Sequence, residues 1–301
     1  MDLEALAETI RSAPGLRAKR DLALIAESLP GVDGEDAALV PVDGRYVVLA
    51  GEAILPSLVA AEPEAAGAAA VVTNVSDVRA MGGRPLALID TLVSPDREHA
   101  GRVLRGLREA AELHGVDVSG GHLTLGGPPA LSAFCTGVAT TPLRAVKAKP
   151  GDALIAAFCL EGRYFADTFF TSLRDRDPAR LRDDGEALVE VAEQGLAHAA
   201  RDVSMPGVAG SLLQLLELAG CGATLDLDRL PRPAGVPLER WLLTFPSFGF
   251  VLAGAPEACE AFTKRGLAAA VCGAFDDTRE LRLGEVTVWD LAAEPLTGLG
   301  G

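Results

Sequence analysis

Apolar residues along the chain switch between strand-like runs and helix-like spacing. Tyr46-Val-Val-Leu-Ala50 is a continuous apolar run of strand length, and Pro63 opens an Ala-rich helix reaching Gly82-Gly83. Residues 85–93 read as a second strand. Residues 96–113 have helical periodicity that stops at Gly115, and 117–121 and 131–140 read as two further strands. A polar turn, Lys147-Ala-Lys-Pro-Gly-Asp152, then precedes a strand over 153–158. Beyond it the spacing predicts helices around 185–200, 208–218 and 257–265, and strands around 223–227, 248–253, 268–275 and 281–288. Each half alternates strands with helices, which predicts a mixed α/β class of the α+β type, one helix-covered sheet per domain. The polar turn sets the expected boundary, giving domains 1–146 and 147–301.

Composition narrows what such a protein can do. A chain of 301 residues with 49% hydrophobic content can bury the cores of about two domains. Its net charge of -15 repels phosphate backbones, and Lys19, Lys147, Lys149 and Lys264 are too scattered to form a basic patch, so no nucleic-acid partner is expected. Residues 1–20 mix acids and bases without the apolar centre of a signal peptide, and no later stretch is apolar for long enough to span a bilayer. A cytoplasmic protein with no membrane partner is expected. Cys135, Cys159, Cys221, Cys259 and Cys272 are odd in number and unrelated in spacing, which predicts free thiols rather than disulfides or a zinc site. With 5% aromatic residues there is little material for aromatic stacking platforms.

Four polar clusters carry the candidate chemistry. In Gly34-Glu35-Asp36-Ala37-Ala38 two adjacent acids follow a glycine and lead into a strand. Neighbouring side chains of extended backbone point to opposite faces, so both reach one ion only if the chain turns, as Gly34 permits; otherwise the segment is a polar loop. In Thr73-Asn74-Val-Ser76-Asp77-Val-Arg79-Ala80-Met81-Gly82-Gly83, Asn74 and Asp77 share one helical face between apolar stretches. An unpaired carboxylate is costly there, and a cation would remove the cost. Arg79 is the competing partner, although residues two apart on a helix do not face each other.

The third cluster, Val118-Ser119-Gly120-Gly121-His122-Leu-Thr124, has paired glycines that let backbone approach a ligand; His122 is either a structural histidine, a general base or a metal ligand. The fourth, Arg201-Asp202-Val-Ser204-Met205-Pro206-Gly207, opens an amphipathic helix. Ser204 is its expected N-cap, Pro206 sits in the first turn, and the free N–H groups there can receive a phosphate. A carboxylate such as Asp202 beside an anion site implies an intervening cation. A few carboxylates plus substrate phosphates form the oxygen set that magnesium takes. The chain contains neither a Walker A sequence nor a Gly-x-Gly-x-x-Gly fingerprint, so a nucleotide would be held in another way. Arg17 and Lys19, in the flexible-looking segment 15–20, are either a solvated turn or a phosphate clamp.

In this order, and over nearly the whole chain, these segments resemble the PurM-like superfamily of aminoimidazole ribonucleotide (AIR) synthetase, thiamine-monophosphate kinase, selenophosphate synthetase and the hydrogenase-maturation carbamoyl dehydratase. Gly34 to Ala38 resembles the family's Gly-Asp-Asp-Ala-Ala metal segment with Glu35 for the first Asp, and Asn74 to Gly82 resembles its Asn-x-Ser-Asp-x-x-Ala-Met-Gly helix. Gly51-Glu52 stands where the kinase has Thr-Asp, and Asp202-Val-Ser204 matches the start of a carboxy-domain Asp-x-Ser-Asp-Gly segment. Asp202-Val-Ser-Met-Pro-Gly-Val-Ala-Gly, Leu230-Pro-Arg-Pro and Trp241-Leu-Leu-Thr-Phe-Pro-Ser-Phe-Gly resemble the AIR synthase-related branch that includes the methanogenesis-marker type.

The resemblance implies a two-domain PurM-like fold that binds ATP and Mg2+. Its metal ligands would be Glu35, Asp36, Glu52, Asp77 and Asp202, with Gly34, Asn74, Gly120, Gly121, His122 and Ser204 at the nucleotide. It further implies a homodimer through the amino-terminal sheet. The expected activity is Mg-ATP-dependent phosphorylation or activation of an oxygen of a small molecule; the alternative is a nucleotide-binding regulatory or partner subunit without turnover. His122 and Met205 stand where the kinase carries acids, so thiamine-monophosphate kinase activity is not expected. The first thiol is Cys135 and none follows Cys272, which sets aside the selenophosphate synthetase and carbamoyl dehydratase activities.

Overall fold

The computed structural model describes residues 2–29 and 31–300; Met1 and Gly301, the outer ends of the two expected domains, lie outside them. The chain begins with α1 (Leu3–Ser12), α2 (Pro14–Arg17) and α3 (Ala23–Ser28), followed by β1 (Ala38–Val42), β2 (Arg45–Ile54), α4 (Pro56–Ala61) and α5 (Pro63–Ala80). Next come β3 (Arg84–Ser94), α6 (Arg97–His114), β4 (Asp117–Leu125), β5 (Ala130–Ala139), β6 (Ala153–Phe158), β7 (Arg163–Tyr164), β8 (Phe169–Thr171) and α7 (Pro178–Glu193). β9 (Ala197–Asp202), α8 (Gly207–Ala219), β10 (Gly222–Leu225), α9 (Leu238–Leu242), β11 (Phe245–Pro246) and β12 (Gly249–Gly254) follow. α10 (Cys259–Thr263), β13 (Ala268–Asp276), β14 (Glu280–Leu283) and β15 (Val286–Asp290) complete the order.

Two compact α/β units result. The amino-terminal unit comprises residues 36–142 and 176–189, and the carboxy-terminal unit comprises 1–35, 143–175 and 190–301. The break after 142 falls close to the expected boundary at 146, but two segments cross it, for physical reasons visible in each unit. Leu6, Ile10 and Leu16 are buried in the carboxy-terminal core, and Arg11 Nη1 donates to the carbonyls of Thr287 and Val288 in β15. In the amino-terminal unit the start of α7 is held by Arg182, which donates to the Leu113 and Glu112 carbonyls, and by an Arg84–Glu186 ion pair.

The amino-terminal unit is a five-stranded sheet, β1-β2-β5-β3-β4, antiparallel except for the β3–β4 pair that α6 connects. α5 and α6 cover one face over a core that includes Val71, Val75, Leu88, Leu92 and Leu107. The helices approach closely because each has a glycine at the contact. A Cβ at Gly67 would meet the Val103 carbonyl oxygen at 2.0 Å, and one at Gly106 would meet that of Glu64 at 1.9 Å. Asp96 caps α6 by accepting from His99 N–H, and Gly115 ends it in the left-handed conformation. The other sheet face is uncovered, leaving Leu49, Ile89 and Phe134 between 43% and 48% exposed.

The carboxy-terminal unit is built on a seven-stranded sheet, β15-β14-β10-β13-β6-β12-β9, with α8 buried against it. It carries a second, three-stranded sheet, β11-β8-β7, which the one-sheet expectation lacks. Three other local expectations are corrected. The helix expected over 185–200 ends at Glu193; Gly195 adopts φ 68° and residues 197–202 form β9, since pairing with β12 overrides the helix propensity of Ala-rich sequence. The strand expected over 281–288 breaks at Gly284 into the β14–β15 hairpin. Residues 15–20 are not a flexible segment but helical, and Gly15 is fitted so closely that a Cβ would meet the Met205 carbonyl oxygen at 2.2 Å. Among the described residues no helix is long and apolar enough to cross a membrane.

Candidate functional site

In the amino-terminal unit, Asp36 leads into β1 and Asp77 lies in the last turn of α5. Each offers a carboxylate oxygen within 4.8 Å of the other's. Asp77 is 6% exposed, and Asn74, one turn earlier, is fully buried. Asn74 Nδ2 donates back to the Ala70 carbonyl at 2.9 Å, while its Oδ1 is buried with no hydrogen-bond partner among the described residues. Two carboxylates this close, with an unused amide oxygen one helical turn away, are hard-oxygen donors of the kind magnesium takes.

Arg79, the competing partner for Asp77, turns to other elements. Its Nη1 lies 3.4 Å from His114 Nδ1 on α6 and its Nη2 donates to the Leu181 carbonyl on α7. Burial pulls the Arg79 guanidinium down to about 10, against the opposing charges of Asp184 and Glu186. Burial, then the adjacent Arg79 charge, hold the His114 imidazole well below its ordinary range. Asp184 receives both arms of Arg176, each at 2.6 Å, and the pair is 0% and 1% exposed.

The other candidate residues have different fates. Glu35 points away from Asp36, as alternation along extended backbone requires. Its carboxylate accepts from the Ala145 N–H at 2.8 Å and the Val146 N–H at 3.4 Å, and its side chain is 1% exposed, so it ties its segment to the turn after residue 142. Gly34 takes φ 69°, the turn that the sequence reading allowed. Glu52 is exposed on β2, and His122 is exposed on β4, opposite Thr91 of β3. Gly120 and Gly121 lie in the same edge strand.

In the carboxy-terminal unit, Asp202 ends β9 opposite Phe250 and is 4% exposed. Ser204 is not the N-cap of α8. Pro206 occupies that position, the Ser204 carbonyl accepts from Gly207 N–H, and the Ser204 N–H donates to Ser211 Oγ at 3.1 Å. Arg17 lies beside Arg11, Arg20 and Trp289 on an open cavity of about 530 Å3. A second cavity of about 500 Å3 includes His198, whose Nε2 is 2.7 Å from Asp152 Oδ2. Neither cavity is lined by a predicted metal acid. Sequence reasoning missed both this pair and Asp90, a buried acid in β3 whose signal was a carboxylate inside the apolar run Leu88-Ile-Asp-Thr-Leu92.

Residues 34–139 match the family described as AIR synthase related protein, N-terminal domain, and residues 167–285 match AIR synthase related protein, C-terminal domain. An uncharacterised protein of Synechocystis sp. is 37% identical over 281 residues, which cover 89% of this chain and 87% of that protein. The chain belongs to the AIR synthase-related family. The AIR synthase-related protein is also 31% identical over 205 residues to a thiamine-monophosphate kinase of Rhodopirellula baltica, covering 64% of this chain and 61% of the kinase. Its PurM-like fold is shared with T. maritima PurL complexed with ADP, at a TM-score of 0.73 and 22% identity over 87% of this chain. The AIR synthase-related chain spans about half of that PurL, covering 46% of it. One of these relatives is thus named for a kinase activity and the other holds a nucleotide.

Proposed function

We propose that this protein is a Mg-ATP-dependent enzyme that phosphorylates or activates an oxygen of a small molecule. The observation that carries the reading is the pair of half-buried Asp36 and buried Asp77, whose carboxylate oxygens lie within 4.8 Å, with the partnerless amide oxygen of Asn74 one helical turn before Asp77. Magnesium held by such a set would neutralise charge on the phosphates of the nucleotide. In this proposal Asp36 and Asp77 orient the phosphates through that set, with Asn74 and Glu52 of the same unit as further oxygen donors. Catalysis is then mainly positioning of the transferred phosphoryl group in line with the acceptor oxygen.

A second reading, a nucleotide-binding regulatory or partner subunit without turnover, is favoured by His122 and Met205, which stand where the kinase motif carries acids. Phosphate release or transfer separates the two, since both predict binding.

The reading includes a homodimer formed through the uncovered sheet face, supported by the exposed Leu49, Ile89 and Phe134. It also places the protein in the cytoplasm, where free thiols, four of the five buried here, remain reduced.

Thermal melting with ATP, ADP and non-hydrolysable ATP, each with magnesium or with EDTA, tests the proposal. ATP should raise Tm only when magnesium is present, because a ligand that binds the native state stabilises it. Equal melting in all conditions would sink the reading.

A further inference from the structure

Asp90 is 7% exposed on the helix-facing side of β3, and among the described residues no side chain hydrogen-bonds or ion-pairs with it. Burial raises its carboxyl above the ordinary range. A buried carboxylate whose one hydrogen bond comes from its own backbone carries a desolvation cost, which a ligand can lower. Asp90 leans over its register partner Gly121 on β4, where an added Cβ would meet Asp90 Oδ1 at 2.3 Å. Only bare backbone fits beneath it.

The surroundings are aliphatic. On β4, Val118 pairs with the buried Leu88 and Leu123 with the buried Leu92, so both share Gly121's face and flank it. They are 41% and 46% exposed, and β4 is an edge strand, which leaves the approach open. A glycine floor, two aliphatic walls and one buried acceptor suit a flat ring with an N–H donor at its edge. They do not suit phosphates, which a carboxylate repels, and Asp90 does not belong to the cluster of acids that could share a cation.

We propose that Asp90, over Gly121 and between Val118 and Leu123, receives the exocyclic amino group of a purine base, so that β4 reads the adenine ring of the nucleotide. This rests on the Mg-ATP reading above and assigns its base specificity. Inosine triphosphate carries a carbonyl where ATP carries the amino group, so the two nucleotides isolate the contact.

The test is isothermal titration of Mg-ATP and Mg-ITP into the full chain and its Asp90→Ala and Asp90→Asn variants, with each variant's fold checked by melting without ligand. Wild type should prefer ATP by about tenfold or more. Asp90→Ala should weaken ATP to the level of ITP while leaving ITP unchanged. Asp90→Asn, which can donate to a carbonyl and closely matches the native side chain in size, should shift the preference toward ITP and decides the matter if the alanine variant does not fold. Equal affinity of wild type for both nucleotides, or an unchanged ratio in the variants, overturns the assignment and leaves the Mg-ATP reading standing. If neither nucleotide binds with magnesium, both fall together.

Discussion

Asp36 and Asp77 hold carboxylate oxygens within 4.8 Å of each other although one belongs to the approach to β1 and the other to the end of α5. Like charges this close repel, and a bridging cation turns the repulsion into attraction. Asp77→Asn should therefore lower Mg-ATP affinity by about tenfold or more, an energy of about 1.4 kcal/mol. Titration calorimetry with magnesium checks this, and melting in EDTA should show no comparable loss of stability. Unchanged Mg-ATP affinity would remove Asp77 from the site.

The uncovered sheet face makes a separate prediction. Phe134 projects from the middle strand of that sheet at 43% exposure, beside Ile89 in the register. A charge there would be desolvated in a sheet-to-sheet dimer, so Phe134→Asp should shift sedimentation velocity from dimer to monomer with little change in monomer stability. Wild type sedimenting as a monomer at tens of micromolar would refute the dimer.

Arg176 and Asp184 form a bidentate pair almost wholly removed from water. Removing one partner leaves the other charge buried, so Arg176→Met should cost about 3–5 kcal/mol in urea unfolding. A loss below about 1 kcal/mol would mean that water reaches Asp184.

His114 predicts a pH dependence of stability. It faces Arg79 from α5 and Arg182 from α7, with Asp184 also near Arg79, and its folded form resists protonation. Below the ordinary histidine range near pH 6.5, the unfolded chain takes up a proton that the folded chain refuses. Stability should fall as pH drops from about 7 toward 5, by up to about 1.4 kcal/mol per pH unit from this group, and show no His114 contribution above that range. The slope difference between wild type and His114→Gln in urea unfolding measures it, and identical slopes would contradict the burial of the imidazole.

The sequence made some of this legible and hid the rest for identifiable reasons. Asn74 and Asp77 could be placed on one buried helical face because helix geometry fixes residues three apart. Alternation along extended backbone told that Glu35 and Asp36 would diverge unless the chain turned. It could not tell which acid would leave, because the N–H groups that claim Glu35 belong to Ala145 and Val146, far along the chain. Asp90 escaped notice because an inward strand position is defined by its neighbours, and the importance of Gly121 emerges only from the β3–β4 register. β9 was misjudged because Ala-rich sequence favours helices until a partner strand is supplied.

The seating of α1 against β15 orders the folding of the chain. Leu6 and Ile10 leave the ribosome long before Val288 and Trp289, members of the same core, exist. So wide a separation between contacting segments slows closure of the carboxy-terminal core.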